Sequence, residues 1–181
     1  MPMERWKFDP VHSNIGFSVR HLMISKVHGQ FKIWTGKLEV DEADPSASKV
    51  EVEIDAASID TREPQRDDHL RSADFLDAAK QPKLTFRSTR VEKLSDARYR
   101  VTGDLTIRGV TRQVALDSEF LGRQKDPWGG ERAGFAAKTS IDRKDYGLTF
   151  NMPLEGGGFL VGDKVEITLD IEAVKESAMS A

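Results

Sequence analysis

A chain of 181 residues has the length of one ordinary domain, and it is read as a single unit over 1–181. With 38% hydrophobic and 31% charged residues it is too apolar to be disordered and too charged to be a bundle of membrane spans. A net charge of −3 offers no global field for holding a polyanion, which argues against nucleic acid, and the absence of cysteine removes disulfides, thiolate nucleophiles and Cys-type zinc sites.

The first ten residues, Met1 to Pro10, hold no apolar run of signal-peptide length, so the chain is expected to be cytoplasmic. No stretch approaches the ~20 apolar residues of a membrane-spanning helix, and no stable membrane insertion is expected. From Ser13 onward apolar residues recur with a period of two, the pattern of strands with one buried face. Ser13, Ile15, Phe17, Val19 and His21 share one face of a first strand, with Asn14, Gly16, Ser18 and Arg20 on the other. Val27, Gly29, Phe31 and Ile33 begin a second strand on odd positions, but Leu38 and Val40 finish it on even ones. That phase slip predicts a bulge or bend near Trp34, Thr35 and Gly36. Six further alternating segments run through Val50–Ile54, Leu84–Phe86, Tyr99–Ile107, Val110–Phe120, Ala133–Ile141 and Val165–Ile171, making eight.

Turn residues separate these segments, among them Asp44-Pro45, Arg108-Gly109 and Asp126-Pro127-Trp128-Gly129-Gly130. Most links are too short for a helical crossover, so the pairing is predicted to be antiparallel. The exception, Ser58 to Pro82, is charged and lacks alternation. It reads as an excursion (about 58–82) with one helix over Gln65 to Ser72 and a second candidate over Phe75 to Lys80. A shorter insertion covers Tyr146 to Leu160, and the tail Lys175 to Ala181 carries no pattern. Eight antiparallel strands in hairpin order manage their edges best by closing into a barrel, with a two-sheet sandwich as the alternative.

The four histidines are His12, His21, His28 and His69. His12 and His21 lie on opposite parities of one strand, which disfavours a shared metal site, and no metal is expected. His21 ends the apolar face of its strand, where it either closes the barrel rim or meets the polar head of a ligand. Asp67 and Asp68 stand four and three residues before Arg71, the spacing of ordinary surface ion pairs on a helix. The sharper alternative is that arginines of this insertion, Arg66 and Arg71 among them, gather around an anion. Arg143 follows a strand directly and could stand at a barrel opening, with Gly147 at positive φ in the turn. Trp128 is expected to cover a barrel end. No nucleophile elbow or paired carboxylate is visible, and no cofactor motif; a large inward apolar set without catalytic machinery favours a container over a catalyst.

Six segments in order make the chain resemble the YceI-like family: Asp9–Ser13 leading into Phe17–His21, Arg66–Asp77, Pro82–Ser88, Gly103–Thr111, Ile141–Gly147 and Val161–Val165. The resemblance implies an eight-stranded, lipocalin-like antiparallel barrel that holds a long isoprenoid amphiphile, such as a polyprenyl diphosphate or isoprenoid quinone, without catalysis. The apolar tail would then lie along Ile15, Phe17, Val19, Phe31, Phe86, Phe135, Ile167 and Leu169. Its head would meet His21, Arg66, His69, Arg71 and Arg143. Two other readings fit the same residues: an enzyme using His21 or His69 as general acid or base, and a module whose barrel is filled by its own side chains. Exposed strand surfaces leave room for a homodimer.

Overall fold

The computed structural model describes residues 3–41 and 43–176. Its strands are β1 (Glu4–Phe8), β2 (Asn14–His21), β3 (Ser25–Phe31), β4 (Trp34–Val40), β5 (Lys49–Asp55), β6 (Ile59–Asp60), β7 (Lys83–Lys93), β8 (Arg98–Ile107), β9 (Val110–Lys125), β10 (Glu131–Asp142) and β11 (Val161–Lys175), with one α-helix, α1 (Pro64–Arg71), between β6 and β7. All pairings between strands are antiparallel. They run in the order β1-β4-β5-β7-β8-β9-β10-β11, and β1 returns to β11 to close an eight-strand barrel. Among the described residues no helix is long and apolar enough to cross a membrane.

The eleven strands follow eight paths because three paths are broken at one level. A 3-10 turn at Pro10–His12 separates β1 from β2, Lys32 and Ile33 separate β3 from β4, and a 3-10 turn at Ala56–Ser58 separates β5 from β6. The predicted phase slip is the second of these breaks, displaced from Trp34 to the two residues before it. The 15-residue β11 bridges the first one, pairing β2 through Asp170 and β1 from Ala173. Above the breaks, β2, β3 and β6 form a small panel on one flank of β11. There β6 has no second strand neighbour among the described residues.

Beside that free edge lies α1. Its start is encoded locally: the Glu63 carboxylate caps the Gln65 amide at 3.2 Å, and Pro64 takes the first turn, where its missing N–H costs nothing. Leu70 is its only large apolar residue, so polar contacts hold the helix to the barrel. Asp67 is buried and accepts from both the Thr61 amide (2.9 Å) and hydroxyl (2.5 Å), instead of pairing with Arg71 on the surface. The second helix candidate, Phe75 to Lys80, is a series of turns, with Asp77 at φ 50° and its carbonyl taking the amides of Lys80 and Gln81.

The sequence reading missed β1, whose short pattern offers only Trp6 and Phe8 between charged residues. Trp6 is 3% exposed and packs with Leu38, Ala133 and Ala173, so this strand both closes the barrel and plugs its lower part. Lys175 belongs to β11 and pairs with Trp6, while residues 177–181 of the tail lie outside the described residues. Trp128 is 80% exposed: its hairpin is tied by Asp126, which accepts from the Trp128 and Gly130 amides, and the indole covers nothing.

Candidate functional site

The inward faces of the strands enclose a cavity of about 850 Å³. That lies within the range of roughly 300–1,000 Å³ usual for small-molecule sites. Its middle is apolar, walled by the inward parity of each strand. All eight positions expected along a tail are on this wall: Ile15, Phe17, Val19, Phe31, Phe86, Phe135, Ile167 and Leu169. Two cross-strand registers explain the convergence, since Phe17 stands opposite Ile167 and Ile15 opposite Leu169 on adjacent strands. The Phe17 and Phe31 rings meet at 5.7 Å, and Phe17 also lies across Gly29, where a Cβ would come within 2.3 Å of the ring. A side chain at position 29 would push Phe17 off the wall.

The cavity ends in polar groups at two levels. At the α1 end the lining includes His21, Thr61, Gln65, Arg66, His69 and Arg143. At the opposite end it includes Glu4, Ser48, Lys93, Glu119 and Arg123. Of the five residues expected to meet a head group, four line the α1 end and Arg71 does not. The Arg71 guanidinium turns along the outside of α1, donating to the carbonyls of Ala57 (2.8 Å) and Ile59 (3.3 Å) and to Asp68 (2.9 Å). The arginines of the excursion therefore do not gather around one anion. Arg66 donates through Nε and Nη2 to Thr61, and Nη1 has no partner among the described residues.

Arg143 is 2% exposed and does not stand open at a mouth. It donates to the carbonyls of Gly162, Leu148, Phe150 and Val161, latching the 147–160 loop onto the start of β11. Burial pulls its guanidinium below the ordinary arginine value, with Asp163 and Asp142 opposing the shift. The turn that aims it has Asp142 as cap and Gly147 at φ 77°, as expected.

His69 sits edge-on to Phe75 and Phe150, with centroids 5.0 and 4.7 Å away, and its Nε2 lies 2.9 Å from an Asp74 carboxylate oxygen. His21 is half-buried and has no hydrogen bond to its ring among the described residues. Gln65 and Phe150 were not foreseen as lining residues. A signal for Phe150 existed in the aromatic residue just beyond the Gly147 turn. None existed for Gln65, whose helix has no apolar stripe to give its phase.

A separate cluster brings Asp9, His12 and Glu172 together outside the cavity, with ligand-type atoms within 4.8 Å of one another. Arg132 already lies 3.0 Å from Asp9 and 2.7 Å from Glu172, so the carboxylates face a guanidinium and the group reads as an ion-pair cluster. The His12 hydrogen bond, opposed by burial and aided by Arg132, holds the Asp9 carboxyl below the usual carboxylate range. His12 lies in the 3-10 turn before β2 and His21 at the far end of that strand.

Residues 6–173 match the family model of the YceI-like domain. Protein YceI of Escherichia coli O157:H7 is 42% identical over 165 residues, covering 91% of this chain and 83% of that protein. Among solved structures, Burkholderia cenocepacia BcnA superposes with a TM-score of 0.80 at 22% identity, covering 91% of this chain and 98% of that one. A polyisoprenoid binding domain from Saccharophagus degradans, implicated in plant cell wall breakdown, gives 0.67 at 15% identity, with 93% and 97% covered. At these identities the last two speak for the barrel alone. With a family model over nearly its whole length and a relative at 42% identity, the chain belongs to the YceI-like family.

Proposed function

We propose that the protein binds and carries, or sequesters, a long isoprenoid amphiphile of the polyprenyl diphosphate or isoprenoid quinone type and returns it unchanged. The observation that carries this reading is the cavity of about 850 Å³, mainly apolar along its length, with its charged side chains at the two ends. Each CH₂ taken out of water there contributes roughly 0.8 kcal/mol, so a tail needs no polar contact to be held. The head group would lie at the α1 end, where the His21 ring, the Gln65 side-chain amide and Nη1 of Arg66 have no hydrogen-bond partner among the described residues. Arg143 and His69 shape that end, and Arg71 has no direct part. A polyisoprenoid binding domain from Saccharophagus degradans is built on the same fold, so a barrel of this shape accommodates such a ligand.

Organic extraction of the purified protein followed by mass spectrometry tests this. An isoprenoid in the extract is expected, and Phe17→Asp, checked for folding by circular dichroism, should lose it because an unpaired charge in an apolar cavity is very costly. A folded Phe17→Asp protein that kept the lipid in full would refute the assignment.

One observation favours a second reading. Asp74 orients the His69 ring, which borders the cavity, in the manner of a general acid or base held by a carboxylate. If that reading holds, incubation with a polyprenyl diphosphate gives a time-dependent product, and His69→Ala lowers its formation by about two to four orders of magnitude with affinity kept.

A further inference from the structure

The turn between β2 and β3 has Leu22 at φ 53° and Met23 at φ 64°, closed by the Ile24 amide on the His21 carbonyl at 3.2 Å. Two consecutive left-handed residues make the tight hairpin turn that Asn, Asp and Gly fill without strain. Here bulky apolar residues fill it, and their side chains stay largely exposed and do not enter the core. Leu22 is 38% exposed, Met23 50% and Ile24 83%. Strained backbone that the surrounding packing does not explain points to a use outside the fold.

The 152–160 loop lies alongside. The Leu22 amide donates to the Leu160 carbonyl at 2.9 Å, and Met23 lies over Gly158, where a Cβ would come within 3.4 Å of its Cγ. That loop exposes Met152 (54%) and Phe159 (53%). Five large apolar side chains thus share two adjoining tips, a grouping unlike the scattered apolar residues of an ordinary surface. The tips border the cavity: His21 immediately precedes the turn, and Met152 is itself on the cavity wall.

We infer that these two tips form a foot that enters the headgroup region of a lipid bilayer and sets the α1-side mouth of the cavity against the membrane. The inference rests on the proposal that the cavity holds an amphiphile, because an apolar tail then passes between bilayer and barrel without crossing water. Beside the tips three lysines share two carboxylates, Lys26 and Lys164 meeting Glu166 at 3.3 and 3.8 Å and Lys144 meeting Asp163 at 3.2 Å, and Arg20 adds a further cation near Glu166. Each lysine has a carboxylate within reach, so the cationic excess is small and attachment is driven by the apolar side chains, on a zwitterionic membrane as on an anionic one.

The test is flotation of the full chain with phosphatidylcholine vesicles at low and high salt. Co-flotation that salt does not release is expected, and Ile24→Asp combined with Phe159→Asp should lower it by about ten-fold or more. Both side chains are exposed, so folding is untouched. Leu22→Asn with Met23→Gly relieves the strained turn, so it should raise the melting temperature while lowering flotation. A tip kept only for hairpin stability would not show that opposition. The inference is overturned if the parent does not float, if it floats only with anionic vesicles and is released by salt, or if the variants float like the parent. It is equally overturned if the tips prove to be the contact of a dimer that Ile24→Asp dissociates while vesicles stay unbound. Mass spectrometry of the extract separates the two claims: a parent that floats but holds no amphiphile leaves the foot standing and removes the cavity assignment.

Discussion

The two ends of the barrel solve opposite problems with the same residue type. At the α1 end the chain makes two long excursions, whose carbonyls have no ladder partner, and arginines supply the missing donors. Arg143 serves four carbonyls, Arg71 serves those of Ala57 and Ile59, and Arg108 serves those of Phe75 and Gly147. At the opposite end the strands reverse more tightly, the ladders satisfy the backbone, and arginines turn to carboxylates. There Arg123 lies over the Trp6 ring at 5.1 Å and meets Glu4 and Glu131 at 3.2 and 2.5 Å, with Lys175 reaching the same pair at 2.6 and 3.6 Å. An arginine near a cavity is therefore evidence of a ligand only after the nearby backbone has been accounted for.

The largest expected effect tests that contrast. Arg143→Met strands several carbonyls in a site closed to water and should cost about 3 kcal/mol or more in urea unfolding. Arg123→Met, with Lys175 still beside both glutamates, should cost about 1 kcal/mol. The reverse order would break the comparison. Acid sharpens it next. Burial works to raise the Glu4 carboxyl, but hydrogen bonds from Lys175 and Arg123 outweigh it; the Arg123 hydrogen bond holds Glu131 low against burial. Lowered carboxyl values stabilise the fold above the ordinary carboxylate range, and that contribution disappears as pH falls below about 4 and through them. Thermal unfolding across that range should show the loss, and Glu4→Gln with Glu131→Gln should flatten it.

A smaller effect of opposite sign is expected inside the α1 end. Tyr146 is 1% exposed, and its hydroxyl has no hydrogen-bond partner among the described residues. Burial, with the Asp145 charge adding to it, pushes the phenol up to about 12. Tyr146→Phe should therefore raise stability by about 1 kcal/mol, read as a shift of the urea midpoint. The smallest effect belongs to Arg71→Ala, which should leave ligand retention at the parent level.

Period-two alternation carried the barrel and its inner wall, because a strand side chain has only two faces to choose between and Phe17 or Ile167 must take one. The helix at 64–71 was legible within one residue at each end, since Glu63 and Pro64 form a local start signal. Less was legible where reach or context decides. Arg71 and Arg143 have long side chains whose ends can turn away from the direction that position implies, and the carbonyls that claim them belong to irregular loops and the first residues of β6 and β11, which carry no periodic signal. Trp128 looked like a cover because it is large, yet its turn is set by Asp126. Strand β1 was invisible because its partner faces, Leu38 and Ala173, are far away in sequence.

The three aligned interruptions, at Pro10–His12, at Lys32 and Ile33 and at Ala56–Ser58, give the barrel two storeys with unequal cooperativity. The lower storey is a closed ring in which every strand has two neighbours. The upper panel of β2, β3 and β6 is fastened by the β2–β11 ladder on one side and ends on a two-residue edge on the other. Opening the panel breaks that short edge and its contacts with α1, and leaves the ring whole. Amide exchange in β3 and β6 should then proceed through a partial opening of lower free energy than global unfolding, whereas β8, β9 and β10 exchange only when the entire barrel unfolds. A barrel built this way can open its cavity on one flank without coming apart.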